Sequence, residues 1–330
     1  MGTLMSLAGS AIPVVVIGGL LYAGLFIKPE PSGVSIDPPA IGRRDSFYDV
    51  AEPVPGLVWA VGSFGKIVRS EDGGRSFHVQ ATGTAEHLQS IATWDANRAV
   101  VVGNDGVVLT TADGGRSWQR ANAPRSEVSN KIMRVRTAGE GVAWAVGEMG
   151  ALFRTRDFGR TWTRQWAEED VGWYDVAFRG QRGWVVGEFG RILATEDGGD
   201  TWAEVASPVE TSLSAVAFRD DLNGVAVGLD GALLSSNDGG RTWQALPKVT
   251  PEHVFDIAWD GRRWIGVGDK GLLLRGDGTR WEAGLLAPNV YAWHMAVRPG
   301  KNGVYVAGAS LGIVDGSGYR VLGRAAGQEG

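Results

Sequence analysis

VGEFGRILATEDGGDTW, residues 186–202, contains both of the short patterns that recur along this chain and decide its fold. Its second half is called an Asp box here. An Asp box contains, at fixed spacing, a polar residue, an Asp, a Gly, a Ser or Thr, and an aromatic residue. Further copies read SEDGGRSF at 70–77, TADGGRSW at 111–118, TRDFGRTW at 155–162 and SNDGGRTW at 236–243, and two shorter copies follow. The aspartates are Asp72, Asp113, Asp157, Asp197, Asp238, Asp277 and Asp315, spaced 38 to 44 residues apart.

The first half of the segment, V-G-x-x-G, keeps the same period. Its leading glycines are Gly62, Gly103, Gly147, Gly187, Gly228, Gly268 and Gly308. A second glycine follows three residues later in six copies and four residues later in the last copy. Two independent patterns therefore each occur seven times with the same period, which is typical of a repeat fold.

The interior of each unit indicates four short strands. In the fourth unit these are WYDVAFR (173–179), GWVVG (183–187), RILAT (191–195) and TWAEV (201–205). The sequence thus predicts an all-β fold, a seven-bladed β-propeller with four-stranded antiparallel blades over residues 46–324. No unit contains a long apolar stretch of helical period, which argues against a helical repeat.

The Asp box suits the turn between the third and fourth strands of a blade. Its Asp can accept hydrogen bonds from nearby backbone N–H groups, Gly permits a positive φ, and the aromatic residue packs the turn onto the blade. We interpret these aspartates as structural, not catalytic. The pattern of a calcium-binding loop is absent, and neither a metal nor a cofactor is predicted.

The N-terminus carries a second signal. Residues 4–27 form a stretch without any charged residue, and this stretch is long enough for one transmembrane helix. Lys28 and Pro29 end it. The predicted organisation is a membrane anchor at 1–28, a Pro-rich linker at 29–45, the propeller at 46–324 and a flexible tail at 325–330. A cleaved signal peptide is the alternative, although the basic region that normally precedes one is missing. The distribution of charge fixes the orientation only weakly.

Composition excludes several functions. The net charge is -5 without a Lys/Arg-rich run, so no nucleic-acid partner is predicted. Zero cysteines exclude disulfides and thiolate chemistry. The four histidines lack metal-ligand spacing, and neither a nucleophile elbow nor a phosphate-binding loop is present.

A candidate partner surface follows from the antiparallel strand order. The V-G-x-x-G turns lie on one face, here called the VGxxG face, and the Asp boxes lie on the opposite, Asp-box face. Residues inside the V-G-x-x-G turns vary between units and combine apolar groups with acids, as an interaction surface requires. They include Phe64, Asn104, Asp105, Glu148, Met149, Glu188, Phe189, Asp230 and Asp269. The alternative is a solvated acidic rim with ordinary packing between blades.

A second column of residues, most of them polar, recurs on the first strands. It comprises Asp49, Ser90, Arg134, Asp175, Ala215, Asp256 and His294. Polar side chains near the axis of a propeller predict a water-filled central channel. A small ligand or ion bound in that channel is the other interpretation.

The repeated boxes resemble those of the Asp-box (BNR) propellers, which include sialidases. The closer resemblance is to the photosystem II assembly/stability factor family, whose members pair V-G-x-x-G with D-G-G-x-T/S-W in each blade. This resemblance covers residues 46–320. It implies a non-enzymatic, membrane-tethered scaffold or assembly factor that binds an integral membrane protein or complex. It also implies an inner or thylakoid-type membrane, with the propeller on the periplasmic or lumenal side. The basic patch associated with the photosynthetic members is missing, so the client complex is left open, as is a permanent role in a transporter or redox complex.

A sialidase-like or glycan-binding propeller is the alternative function. Sialidases need three arginines on the substrate carboxylate, a Tyr–Glu nucleophile pair and an Asp acid/base. Their early Arg-Ile-Pro element is absent here. Arg179, Arg219 and Arg298 recur at the ends of first strands, and we expect this repetition to spread them around the ring. An arginine triad in one deep pocket beside a Tyr–Glu pair would favour the enzyme.

Overall fold

The computed structural model describes residues 39–323 and four positions of the N-terminal segment, 16, 17, 19 and 22, which are helical and exposed. The chain divides into two compact units, Met1–Pro39 and Ala40–Gly330. Apart from those four positions, the predicted anchor lies outside the described residues, as do most of the linker and the tail at 325–330. In the described part of the chain, no helix is long and apolar enough to cross a membrane.

Seven four-stranded antiparallel sheets follow one another along the second unit, which confirms the predicted propeller. Blade 1 comprises Phe47–Val54, Leu57–Gly62, Ile67–Ser70 and His78–Gln80, and blade 2 comprises Leu88–Thr93, Ala99–Gly103, Val108–Thr111 and Gln119–Arg120. Blade 3 comprises Ile132–Gly139, Val142–Gly147, Leu152–Thr155 and Thr163–Arg164, and blade 4 comprises Trp173–Arg179, Arg182–Gly187, Ile192–Thr195 and Ala203–Val205. Blade 5 comprises Leu213–Phe218, Gly224–Gly228, Leu233–Ser236 and Gln244–Ala245. Blade 6 comprises Val254–Trp259, Trp264–Gly268, Leu272–Gly276 and Trp281–Leu285, and blade 7 comprises His294–Gly300, Gly303–Gly308, Leu311–Asp315 and Gly318–Val321.

The first strands of the blades line the axis. Each contacts the first strands of both neighbouring blades, in an unbroken cycle from blade 1 to blade 7 and back. The ring is therefore closed, and no sheet contributes a free inner edge.

Large aromatic side chains on the second strands fill the space between blades. Trp59, Trp144, Trp184 and Trp264 are buried, and each joins an apolar cluster with residues of an adjacent blade. Trp184 stacks on Phe218 of blade 5 with 3.6 Å between ring centroids. Burial of such rings is the main apolar stabilisation between neighbouring blades.

The seam between blades 7 and 1 closes without any exchange of strands, because each sheet is formed by one continuous stretch of chain. Side chains join the two blades instead. A single apolar cluster combines Phe47 and Val68 of blade 1 with Tyr305 and Ile313 of blade 7. Glu52 accepts hydrogen bonds from the backbone N–H of Lys301 at 2.8 Å and from the hydroxyl of Tyr305 at 3.3 Å.

The two glycines of V-G-x-x-G have separate roles, visible at Gly62 and Gly65. A Cβ atom on Gly62 would collide with the backbone carbonyl of Ser46, which precedes the first strand. Gly65 has a φ of 69° and donates its N–H to the carbonyl of Glu86, in the link to blade 2, at 2.8 Å. The turn is thus fixed both to its own blade and to the next one.

The Asp boxes form compact turns, as at Asp197. Its carboxylate accepts hydrogen bonds from the backbone N–H of Thr201 at 2.9 Å and from the hydroxyl of Thr201 at 2.6 Å. Thr195 donates to Asp197 at 2.7 Å and accepts from the N–H of Gly199 at 3.0 Å. In the shorter boxes, the carboxylates of Asp277 and Asp315 accept hydrogen bonds from backbone N–H groups two or three positions ahead.

Candidate functional site

The V-G-x-x-G turns share an unusual backbone geometry. Most are single 3-10 turns, at Ser63–Gly65, Asn104–Gly106, Glu188–Gly190, Leu229–Gly231 and Asp269–Gly271. The middle residue is in the left-handed region although it is not glycine. The φ values are 54° for Phe64, 47° for Asp105, 55° for Met149, 56° for Phe189, 52° for Asp230 and 49° for Lys270.

Two of these strained positions carry exposed aromatic rings. Phe64 is 73% exposed and Phe189 is 66% exposed, and a glycine would adopt the same backbone with less strain. The ring of Phe64 contacts the imidazole of His87 at 5.0 Å between centroids. Strained backbone that displays bulky apolar groups is typical of functional sites.

The acidic residues of the VGxxG face fall into two groups. The carboxylates of the first group accept hydrogen bonds from other residues of the propeller. Glu188 accepts hydrogen bonds from the N–H of Gly172 at 2.8 Å and from the hydroxyl of Tyr174 at 3.0 Å. Burial and the Glu188 carboxylate raise the pKa of Tyr174 to about 12. Glu148 accepts a hydrogen bond from the Ser129 hydroxyl. These two carboxylates therefore stabilise the links between blades.

The second group projects into solvent. The side chain of Asp105 is 63% exposed and pairs with Arg125 at 2.6 Å. The side chain of Asp230 is 71% exposed and lies 3.7 Å from the imidazole of His253. The remaining predicted residues are held locally: Asn104 accepts a hydrogen bond from Gln89, and Asp269 accepts one from the N–H of Lys270.

Every first strand contains a bulge near its start. In blade 1, Phe47 pairs with Gly62 and Asp49 pairs with Val61, so Tyr48 is the extra residue. A bulge re-aims the side chain of the extra residue. The equivalent residues in the seven blades are Tyr48, Gln89, Met133, Tyr174, Ser214, Phe255 and Met295.

The bulged residues all line one axial cavity on the VGxxG face. Its volume is about 220 Å³, and Lys131, Arg134 and Leu229 complete its lining. Sequence reasoning missed this cavity because it treated the first strands as regular. Each first strand has a buried Val or Ile two positions after its bulged residue, at 50, 91, 135, 176, 216, 257 and 297. Aligning the first strands on these residues would have revealed the ring of bulged residues.

Below this cavity, the predicted polar column is occupied by buried ion pairs. Arg134 lies 3.5 Å from Asp175 and 3.9 Å from Asp49. Arg136 lies 3.2 Å from Asp175 and 3.7 Å from Asp256. At this level, charged side chains therefore bind one another across the axis, and a water-filled channel stays a prediction.

Arg298 completes this axial ion belt. Its guanidinium lies 2.8 Å from Asp49 and also pairs with Asp256. Although burial opposes ionisation, the guanidiniums of Arg298, Arg134 and Arg136 hold the pKa of Asp256 below its ordinary value. One buried arginine, Arg134, and two partly buried ones, Arg136 and Arg298, thus neutralise three buried aspartates, as burial of charge requires.

The aspartates of the belt also join neighbouring blades through backbone groups. Asp49 accepts hydrogen bonds from the Ser90 hydroxyl at 2.6 Å and from the N–H of Ile91 at 3.3 Å. Asp175 accepts from the N–H of Val216 at 3.2 Å, and Asp256 accepts from the N–H of Val297 at 3.0 Å. The recurring polar residues therefore serve as links between first strands.

His294 does not occupy the predicted column. It pairs with Gly308, as Phe47 pairs with Gly62, and the residue equivalent to Asp49 is Ala296. The assignment was wrong by two residues because the bulge was not anticipated. Burial lowers the pKa of His294 to about 4, although the carbonyl of Ala292 favours protonation. The residue is therefore a neutral part of the core.

The Asp-box mouth of the axis is a wider funnel of about 430 Å³. Arg136, Arg179, Arg219 and Arg298 all line it. The recurring arginines thus face one funnel, although they belong to different blades. Arg179 pairs with Asp221 at 3.2 Å and Arg219 pairs with Asp220 at 3.3 Å, so acids compensate these charges as well. Within residues 39–323 and the four described N-terminal positions, no group of His, Asp or Glu side chains is arranged to hold a metal ion.

Comparison with known proteins identifies a similar family. The family model described as Photosynthesis system II assembly factor YCF48 matches residues 80–170 and 143–207. No curated protein sequence matches the chain significantly.

Solved structures with the same fold include two of YCF48. YCF48 bound to D1 peptide is 18% identical, with a TM-score of 0.67 over 80% of this chain and 91% of that chain. YCF48 from Cyanidioschyzon merolae is 20% identical, with a TM-score of 0.65 over 81% of this chain and 94% of that one. The GH74 xyloglucanase from Xanthomonas campestris is 18% identical, with a TM-score of 0.67, but this chain covers only 52% of it. The chain is therefore a seven-bladed Asp-box propeller similar to the photosystem II assembly factor YCF48.

Proposed function

We propose that this protein is a non-enzymatic, membrane-tethered assembly or accessory factor that binds a membrane protein through its VGxxG face. One observation carries the proposal: this face presents Phe64 and Phe189 as exposed rings in strained, left-handed turns. Exposed aromatic anchors on a rigid scaffold supply most of the binding energy at protein interfaces. The similarity to YCF48, of which one solved relative holds a D1 peptide, supports a partner of this kind.

The tether is residues 4–27, and the propeller lies on the periplasmic or lumenal side of the membrane. An uncharged stretch of this length and the family resemblance support this placement. N-terminal sequencing of the mature protein tests the tether. A first residue near Gly24 or later would show that the segment is cleaved and would remove the anchor from the proposal.

A glycosidase remains the second candidate because one observation favours it. Tyr174 and Glu188 form a Tyr–Glu pair at the axial cavity, which Arg134 also lines. Three features of the described residues oppose catalysis there. The pKa of Tyr174 is raised, which makes its hydroxyl a weaker nucleophile. Arg134 is neutralised by Asp49 and Asp175, and the cavity lining contains no Asp or Glu that could act as acid/base.

The decisive experiment compares partner capture by the full-length wild-type chain with capture by three variants of it. Partners of the wild-type protein are collected after mild solubilisation and identified by mass spectrometry. Replacement of Phe64 and Phe189 by Ala should weaken binding by about 1–2 kcal/mol each, the range of modest hot spots. Arg116→Ala, on the Asp-box face, is the matched control. Equal partner affinity for all variants would place the interface elsewhere.

The contribution of charge is tested with the two acids whose ion pairs are exposed to solvent. Asp105→Lys and Asp230→Lys reverse exposed charges and should slow association and alter its salt dependence. Glu148 and Glu188 are unsuitable, because their reversal would break hydrogen bonds to Ser129, Gly172 and Tyr174. An association rate that is independent of both substitutions would exclude electrostatic steering by this face.

A further inference from the structure

We infer that the axial cavity on the VGxxG face receives one large apolar side chain from an extended segment of the partner, whose neighbouring carboxylate pairs with Lys131. This inference rests on the proposed function and names the chemistry by which the partner is recognised. The cavity and the exposed rings of Phe64 and Phe189 would then form one continuous binding surface.

The size of the cavity favours a single side chain. Its volume of about 220 Å³ is below the roughly 300–1,000 Å³ of pockets for small molecules. Its walls include Tyr48, Tyr174 and Phe255, whose side chains come from rigid, paired strands. A preformed apolar cavity of this size loses little entropy when a side chain enters.

The chemistry of the walls defines which side chains fit. Met133 and Met295 face the cavity, and methionine adapts its shape to different apolar neighbours. The cavity should therefore accept Leu, Met or Phe with similar affinity, and reject Ala because it leaves the space unfilled.

The charges at the cavity indicate an acidic neighbour for that side chain. Lys131 and Arg134 are the cations of the lining, and Arg134 is neutralised by Asp49 and Asp175 in the axial ion belt. Among the residues described, no carboxylate forms an ion pair with the ammonium group of Lys131. A carboxylate beside the inserted side chain would provide that partner.

Methionine methyl signals offer a direct test on the full chain. Of the five methionines, Met133 and Met295 line the cavity, and Met149 is half-buried in a turn of the same face. The chain is labelled with ¹³C-methyl methionine and titrated with the peptide acetyl-Gly-Ser-Leu-Asp-Ser-Gly-amide. Saturable shifts of Met133 and Met295 are expected. The same peptide with Ala in place of Leu should bind at least about tenfold more weakly, because most of the buried apolar area is lost.

Two variants complete the test. Lys131→Ala should remove the preference for the Leu-Asp peptide over a Leu-Lys peptide. Ser214→Phe fills the cavity and should abolish the peptide-induced shifts of Met133 and Met295. Arg116→Ala, on the Asp-box face, should leave those shifts unchanged. If Ser214→Phe does not fold, the Ala peptide and Lys131→Ala still decide the outcome.

Failure of the inference is distinguishable from failure of the proposed function. A peptide that shifts Met149 but not Met133 or Met295 would overturn the cavity and retain binding to the VGxxG face. Absence of any shift up to about 10 mM peptide, above the range of weak millimolar complexes, would also overturn the cavity. The proposed function is judged separately, by capture of the natural partner with Phe64 and Phe189 variants.

Discussion

Asp49 and Arg298 lie 2.8 Å apart at the seam of the ring, where the first blade meets the last. Both residues are largely buried, and Arg298 also pairs with Asp256 of blade 6. This contact joins the two ends of the ring where no strand is exchanged. The axial ion belt therefore contributes to closure of the propeller as well as filling its channel.

Arg298→Met should destabilise the fold by about 3–5 kcal/mol, because three buried aspartates then share two arginines and one buried negative charge is left uncompensated. Urea denaturation monitored by tryptophan fluorescence measures this change. The control is Arg241→Met, since the pair that Arg241 forms with Glu196 is exposed and should contribute about 0–1 kcal/mol. If both variants unfold at the same urea concentration, the belt has no special role in stability.

The stability of the propeller should fall as the pH decreases from 6.5 to 4. The pKa of His294 is 6.5 in the unfolded chain and about 4 in the buried site, so the unfolded state binds the extra proton first. The stabilisation is complete above pH 6.5 and is progressively lost towards pH 4, by up to about 3 kcal/mol. Thermal unfolding at a series of pH values measures this loss.

His294→Leu is the matched control for the pH prediction. Leu88 and Leu213 occupy the same register position in blades 2 and 5, so a leucine is compatible with the fold there. The variant should show a flatter dependence of melting temperature on pH between 6.5 and 4. An unchanged pH dependence would mean that other groups control acid unfolding.

Thr195→Val should cost about 1–3 kcal/mol, although it keeps the shape of the side chain. The substitution removes the acceptor of the Gly199 N–H and the donor to Asp197, and leaves a buried polar group unsatisfied. Thr163→Val, whose hydroxyl bond to Arg154 is exposed, should change stability by less than about 0.5 kcal/mol. Chemical denaturation compares the two, and similar values would show that the Asp box is not a stabilising turn.

Phe189→Gly should be more stable than Phe189→Ala by about 1 kcal/mol, because only glycine adopts a φ of 56° without strain. Both variants remove the ring, so the difference isolates the backbone. Differential scanning calorimetry of the two proteins measures it. A more stable alanine variant would show that the turn stores no strain.

The framework of the fold was predictable because it repeats. The same turns recur in every blade and need the same residues for packing. The sequence therefore contains seven equivalents of Gly62 and seven of Asp197. The division into two faces followed from antiparallel strand order alone. The exposure of Phe64 and Phe189 agrees with their prediction as surface residues of the turns.

The axis was less predictable because its chemistry depends on contacts between blades. The bulge at Tyr48 shifts the register by one residue, and that shift decides which side chains enter the cavity. Arg136 and Arg298 stand at a position where the five other blades carry Ala, so no sevenfold repetition marked either arginine as part of the ion belt. The misassignment of His294 has the same cause.

The continuous blades also have a consequence for folding. Each blade can form its sheet from about 40 consecutive residues, so the sheets can form in order as the chain is synthesised. The seam is the exception, since Glu52 and Lys301 are 249 residues apart. Until blade 7 emerges, the apolar side of blade 1 has no partner, and the incomplete ring is the state most exposed to aggregation.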